Sequence, residues 1–217
     1  MELSPVQVRV LGCLIEKERT TPDSYPLTMN ALLAACNQTT NRHPIVALTE
    51  ATVASAVENL RAADLVRVDY SRSNRADKYR QVLDRASRLD GAEISVLGVL
   101  MLRGPQTAAE LRTRTERLHA FADPSGVDAV LARLAERPEP LVVRVGRGVG
   151  QKEPRWAHLL AGPPEFDEGP PSSEPTRSPR AERLEALEAS VAGLTRELEQ
   201  LRAEHAALAA LVRDLVG

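Results

Sequence analysis

Four basic side chains crowd into one short polar run, Tyr70-Ser71-Arg72-Ser73-Asn74-Arg75-Ala76-Asp77-Lys78-Tyr79-Arg80, against a single carboxylate. Arg72, Arg75, Lys78 and Arg80, set between two short alternating segments, suit contact with phosphates or entry into a minor groove. A second run repeats the theme with Arg144, Arg147, Lys152 and Arg155 against Glu153. Gly146, Gly148 and Gly150 in that run let the backbone come close to a ligand. An ordinary solvated hairpin is the plain alternative for both. Upstream of the first run, Thr52, Ser55, Asn59 and Arg61 share the polar side of an amphipathic segment with Glu50 and Glu58. Hydroxyl, amide and guanidinium groups can read base edges, whereas the carboxylates oppose them. Upstream of the second run the same side offers Ser125, Asp128, Arg133 and Glu136, a poor set for base readout. The chemistry implied is recognition of nucleic acid led by charge and shape, or the docking of a protein on these helices.

Catalytic chemistry finds no foothold. His43, His119, His158 and His205 are scattered, and no zinc-protease, Walker or nucleophile-elbow pattern occurs. Gly146-Arg147-Gly148-Val149-Gly150 echoes a phosphate-cradling loop but opens no helix. The expectation is therefore a protein that is not an enzyme and uses no cofactor and no metal. Cys13 and Cys36 lie far apart in apolar helical segments, which predicts buried free thiols. The formal net charge of −2 hides an asymmetry: +2 over residues 1–89, +1 over residues 90–162 and −5 over residues 163–217. A mildly basic body thus carries an acidic tail, and local charge is the better guide to partners. With no long apolar run and no leader-like start, the chain reads as cytoplasmic and soluble, with no membrane partner.

The elements that must position these residues come in two copies. Val10-Leu11-Gly12-Cys13-Leu14 matches Val96-Leu97-Gly98-Val99-Leu100 at an offset of 86. Ser4-Pro5-Val6-Gln7 and Asp90-Gly91-Ala92-Glu93 supply an N-cap with Gln or Glu three residues on, so each copy opens with a helix. Second helices are expected from Thr28 to Asn37 and over residues 107–120. Third helices run from Thr49 to Ala63, with Val53, Val57 and Leu60 on one face, and from Ser125 to Glu136, with Val127, Val130, Leu131 and Leu134. Alternating strands follow as Leu65–Tyr70 with Lys78–Leu83, and as Leu141–Val145 with Arg155–Leu159. Three helices followed by a hairpin is the winged-helix pattern. About a dozen residues rich in Asn and Thr separate the second and third helices of the first copy, where a turn of three or four is usual. That segment reads as an Asn-capped structural loop, or as a polar surface beside a ligand with Arg42 as its charged member.

Tyr25-Pro26-Leu27-Thr28-Met29-Asn30-Ala31-Leu32, Ala35-Cys36-Asn37-Gln38, Asn41-Arg42-His43-Pro44 and Gly150-Gln151-Lys152-Glu153-Pro154-Arg155-Trp156-Ala157-His158-Leu159-Leu160 resemble the YceH-like family of bacterial proteins. The resemblance covers roughly residues 3–162 and implies tandem winged-helix domains, commonly followed by a short heptad helix. It carries a fold and no activity. Trp156 stands where Tyr or Phe is also usual, and the Pro-rich spacer is long.

The tail holds a heptad seam. Leu187, Leu194, Leu201, Leu208 and Leu215 recur every seven residues, as do Leu184, Val191, Leu198, His205 and Val212 three residues earlier. Such a stripe needs a partner helix, and Leu at every d position with Val at a favours two strands. His205 adds a polar layer that protonation would disfavour. The partner is a second copy of the chain or a groove on the same one. The expected architecture is mainly α with small β-hairpin wings: winged-helix domains at residues 1–89 and 90–162, a Pro-rich flexible linker at 163–180 and a coiled-coil helix at 181–217. The expected function is that of a DNA-binding, transcription-regulator-like protein that forms a homodimer through its coil. The alternative is a protein-interaction scaffold.

Overall fold

A capping box starts the first helix. In the computed structural model, which describes residues 2–70, 76–123, 125–145 and 153–164, Ser4 Oγ accepts from the Gln7 amide and Gln7 Oε1 accepts from the Ser4 amide at 2.7 Å. Helix α1 then runs over Pro5–Thr20. Strand β1 is Leu27–Thr28, and Thr28 caps α2, Met29–Cys36. Thr49 caps α3, Glu50–Ala62. Strands β2, Val66–Asp69, and β3, Lys78–Gln81, close the first repeat. A four-residue helix α4, Leu83–Ala86, leads to the second repeat. There Asp90 and Glu93 form the box that starts α5, Gly91–Arg103, and Thr107 with Glu110 forms another for α6, Ala108–Thr115. Helix α7 spans Ser125–Ala135, and β4, Val142–Val145, pairs with β5, Arg155–His158. The protein is mainly helical with small antiparallel sheets.

Several expected boundaries move. Strand β3 ends at Gln81, not Leu83, because the Gln81 side chain turns back to accept from the Leu83 amide at 2.8 Å and so begins α4. The second helix of the second repeat stops at Thr115, not near residue 120. Thr115 Oγ1 bonds the Leu111 carbonyl at 2.7 Å, and the Thr115 carbonyl is taken by the Leu118 and His119 amides. Strand β1 is an addition. It pairs with β3, Leu27 opposite Tyr79, making a three-stranded sheet ordered β1-β3-β2. The second repeat echoes it with one bridge, Gln106 opposite Trp156. In both repeats the residue before the Thr cap meets an aromatic residue of the returning strand.

Helices α1 and α5 are buried almost all round, as their continuous apolar centres demand. They pack on their own repeat on one side and on each other across the middle. The matching glycines mark the closest approach: a Cβ on Gly12 would stand 3.0 Å from the Leu102 side chain and 3.2 Å from Met101, and one on Gly98 would stand 2.8 Å from Ile15. Gly98 and Met101 are the 86-residue equivalents of Gly12 and Ile15, so the contacts are reciprocal, as in an isologous dimer interface. Ile94, Met101 and Leu102 accordingly belong to the core of the first repeat, while Val96, Leu97, Val99 and Leu100 belong to that of the second. All described residues fall in one unit, Met1–Phe166. The Leu3 amide, bonded to the Leu160 carbonyl at 2.7 Å, ties its two ends together.

Cys13 and Cys36 are both buried and free, as expected. The neighbouring Cys13 sulfur and burial push the Cys36 thiol up from its ordinary range. Among the described residues no helix is long and apolar enough to cross a membrane, and no group of three or more His, Cys, Asp and Glu side chains is arranged to hold a metal. The linker from residue 165 onward and every seam residue from Leu184 to Leu215 lie outside the described residues.

Candidate nucleic-acid interface

Helix α3 turns Val53, Ala56, Val57 and Leu60 into the core. Its 3.6-residue period therefore presents Thr52, Ser55 and Asn59 to solvent in one row, and all three are exposed. Thr52 lies at the capped end, its amide donating to Thr49 Oγ1 and the two hydroxyls lying 2.8 Å apart. Amides at such an end favour negative charge nearby. Arg61, at the other end, is not free: it pairs with Glu58 at 2.7 Å and donates to the exposed Tyr70 hydroxyl at 3.3 Å.

Beside this row stands the sheet. Lys78 faces Asp69 across the β2–β3 ladder, and Arg80 faces Arg67. Arg67 is exposed and was not among the residues that sequence reasoning selected. Its alternation within Leu65-Val66-Arg67-Val68 is the signal that places it outward. Two like charges directly opposed on one sheet face are unfavourable unless an anion or solvent separates them. Arg80 is half-buried, and its Nε is buried with no hydrogen-bond partner among the described residues. Arg72 and Arg75 lie outside the described residues.

The second repeat is built differently. Arg133 on α7 is held by Asp90 at 2.9 Å and Glu93 at 3.1 Å, so the one base-reading cation expected there is engaged in fixing the start of α5. Arg155 donates to the Pro105 carbonyl at 2.9 Å and to Glu110 at 3.0 Å. These bonds hold the guanidinium expected to contact phosphate. Arg144 is exposed opposite Trp156, and Arg147 and Lys152 lie outside the described residues. The first repeat alone therefore combines an open helix row with cations on the adjoining sheet among the described residues.

The Asn- and Thr-rich segment is structural. Asn37 Nδ2 donates to the Leu48 carbonyl at 2.9 Å and Asn37 Oδ1 accepts from the Leu48 amide at 2.7 Å, closing the loop with one side chain. Arg42, the charged member in the polar-surface alternative, is buried, with Nη1 and Nη2 forked onto Glu16 at 3.0 and 2.6 Å and Nε on the Ala35 carbonyl. Burial opposes ionisation of Glu16, but the Arg42 fork outweighs it and holds the carboxyl below its usual range. The loop also reaches the second repeat, its His43 amide donating to the Leu102 carbonyl at 2.8 Å.

These features define a mainly helical protein of two like repeats, each ending in a small antiparallel sheet, with a polar helix row and a basic sheet edge in the first. A family model described as "Protein of unknown function, DUF480" matches residues 3–151. The chain belongs to that family, the YceH-like group that its motifs resemble. A UPF0502 protein of Geobacter sulfurreducens is 49% identical over 185 residues, which is 85% of this chain and 82% of the relative. One from Pelobacter propionicus is 47% identical over 209 residues, 93% and 94% of the two chains. One from Burkholderia pseudomallei is 44% identical over 202 residues, 93% and 86%.

Proposed function

We propose that the two repeats, residues 1–89 and 90–162, are tandem winged-helix domains and that the first binds duplex DNA, as a non-enzymatic regulator would. The observation that carries this is the exposed row Thr52, Ser55 and Asn59 on α3 beside a sheet bearing Arg67 and Lys78. A helix row of this width fits a major groove, and basic residues on the hairpin would hold the flanking phosphates. Glu50 and Glu58 on the same helix disfavour tight base contact, so affinity comes mainly from phosphates and should be salt-sensitive. The ion-paired Arg133 and Arg155 favour a supporting role for the second repeat. The heptad seam of residues 184–215 would pair two chains, and the cytoplasm is where such a regulator would act.

Fluorescence anisotropy with a mixed-sequence duplex at about 50 and 200 mM salt tests the reading. Wild-type affinity should fall steeply with salt. Arg72→Ala with Arg75→Ala and Lys78→Ala should weaken binding and flatten the log–log salt slope by up to about 0.9 for every phosphate that the variant no longer neutralises. A triple variant that keeps both affinity and slope would remove the hairpin from the interface. Binding absent even at low salt would favour the second reading, a protein-docking scaffold. The exposed Ile45 and Tyr70, 64% and 68% accessible, favour that reading as anchors for a partner.

A further inference from the structure

We propose that the cleft between the two repeats binds a small ligand through a diphosphate group. Two cavities, of about 370 and 490 Å3, share Asn41, Arg103 and Arg114 and so adjoin as the two ends of one cleft. Its walls come from α1, α5, α6 with the residues just after it, β5 and the Asn41–His43 turn, elements distinct from the α3 row and the β2–β3 sheet. The site therefore goes beyond the DNA-binding reading. Each cavity has the size of a small-ligand pocket.

The charge of the cleft is the argument. Six cations line it against two carboxylates, Glu16 and Glu110. Glu16 is occupied by Arg42, with Lys17 more distant at 3.6 Å. Glu110 is shared between Arg155 at 3.0 Å and Arg114 at 3.4 Å. Arg103 and Arg117 have no carboxylate within ion-pair distance among the described residues. Arg103 is half-buried and bonds Asn41 Oδ1. Burial, and after it the positive charge of Arg114, lowers its pKa from the ordinary value. Like charges gathered in a partly desolvated groove repel one another, and an anion between them removes the repulsion.

Geometry selects the anion. Lys17 and Arg103 are equivalent positions, 86 residues apart near the ends of α1 and α5, so the reciprocal packing of the repeats delivers one cation from each. Arg117 lies toward one end of the cleft and Arg155 toward the other, with Arg103 and Arg114 in the shared middle. A single carboxylate would leave most of this excess charge uncompensated. Two linked phosphates present several oxygens along a line of guanidinium forks, which they accept bidentately.

Isothermal titration of the full chain with inorganic pyrophosphate, ADP and citrate, at about 150 mM salt to screen loose surface attraction, tests the site without DNA present. Failure here is thereby separate from failure of the DNA reading. Saturable binding of pyrophosphate or ADP at one per chain is expected, tenfold or more weaker in Arg103→Ala and in Arg117→Ala, and unchanged in Arg67→Ala. Tighter pyrophosphate would identify a free inorganic ligand, and tighter ADP a nucleotide; either supports the site. Arg117 is exposed and makes no ion pair among the described residues, so its variant reports even if Arg103→Ala fails to fold. Three results would each overturn the proposal: no saturable binding of either probe, citrate binding as tightly, or an equal loss in Arg67→Ala.

Discussion

His158 sits on β5 with its Nδ1 buried and no hydrogen-bond partner for it among the described residues. Burial pushes its pKa down to about 4 from an ordinary value of 6.5. In the folded chain the imidazole is thus neutral over a range in which the unfolded chain takes up a proton. Acid favours the state that binds more protons, so this residue's effect sets in as pH falls through about 6.5 and levels off near the folded value. Urea unfolding should show wild type losing on the order of 2 kcal/mol more than His158→Phe between about pH 7 and pH 4.5. Equal losses in the two proteins would mean that the ring is hydrated in the fold. Arg42 belongs to the same scale and shows where sequence reading stops. Its neighbours Asn41 and His43 are polar, so the run reads as surface, yet the guanidinium is buried by a carboxylate 26 residues away. Nothing in the local sequence announces a partner at that distance. The ion pairs of Arg133 with Asp90 and Glu93 and of Arg155 with Glu110 are illegible for the same reason, whereas the exposure of Thr52, Ser55 and Asn59 follows directly from helical period.

Among the elements, α1 and α5 decide how the repeats meet. Both have continuously buried centres, and each gives up a side chain at one position to let the other approach. A Cβ at Gly98 would stand 2.8 Å from Ile15, which is completely buried and has nowhere to move. Gly98→Val should therefore cost about 2–3 kcal/mol, the range of an overpacked core, read as a lowered urea midpoint at constant slope. A variant as stable as wild type would show that the helices can separate locally without loss. The helices and hairpins of both repeats were legible because capping boxes and apolar period extend over many residues. Strand β1 was not, since two residues cannot display alternation. Helix α4 was hidden by a similar brevity, and its start is set by the Gln81 side chain rather than by any pattern. The inter-repeat cleft was also illegible: its cations come from α1, α5, α6, β5 and the loops after α2 and α6, and from no single motif.

At the scale of the whole molecule, the described residues of one chain offer one open helix row, and if that row binds DNA as proposed, so marginal an interface would gain most from being doubled. Linking two weak sites turns the second contact into an intramolecular one at high effective concentration, and the gain depends on the length of the spacer. The eighteen residues from 163 to 180 include six prolines, and on the sequence reading they form a flexible linker, whose length would set that gain. Beyond them lies the seam from Leu184 to Leu215; if it pairs two chains as proposed, Glu197 at g and Arg202 at the next e position would be able to pair across it. Aspartate at two core positions would bury carboxylates against leucine and dismantle such a pairing. Leu194→Asp with Leu201→Asp should thus halve the mass measured by light scattering and weaken binding to a duplex long enough for two copies, while leaving anisotropy on a short duplex unchanged. A mass that equals one chain in both proteins would assign the seam to a groove on its own chain. In that case the variant should instead lose thermal stability, because a stripe of that length would have been covering apolar surface of the body.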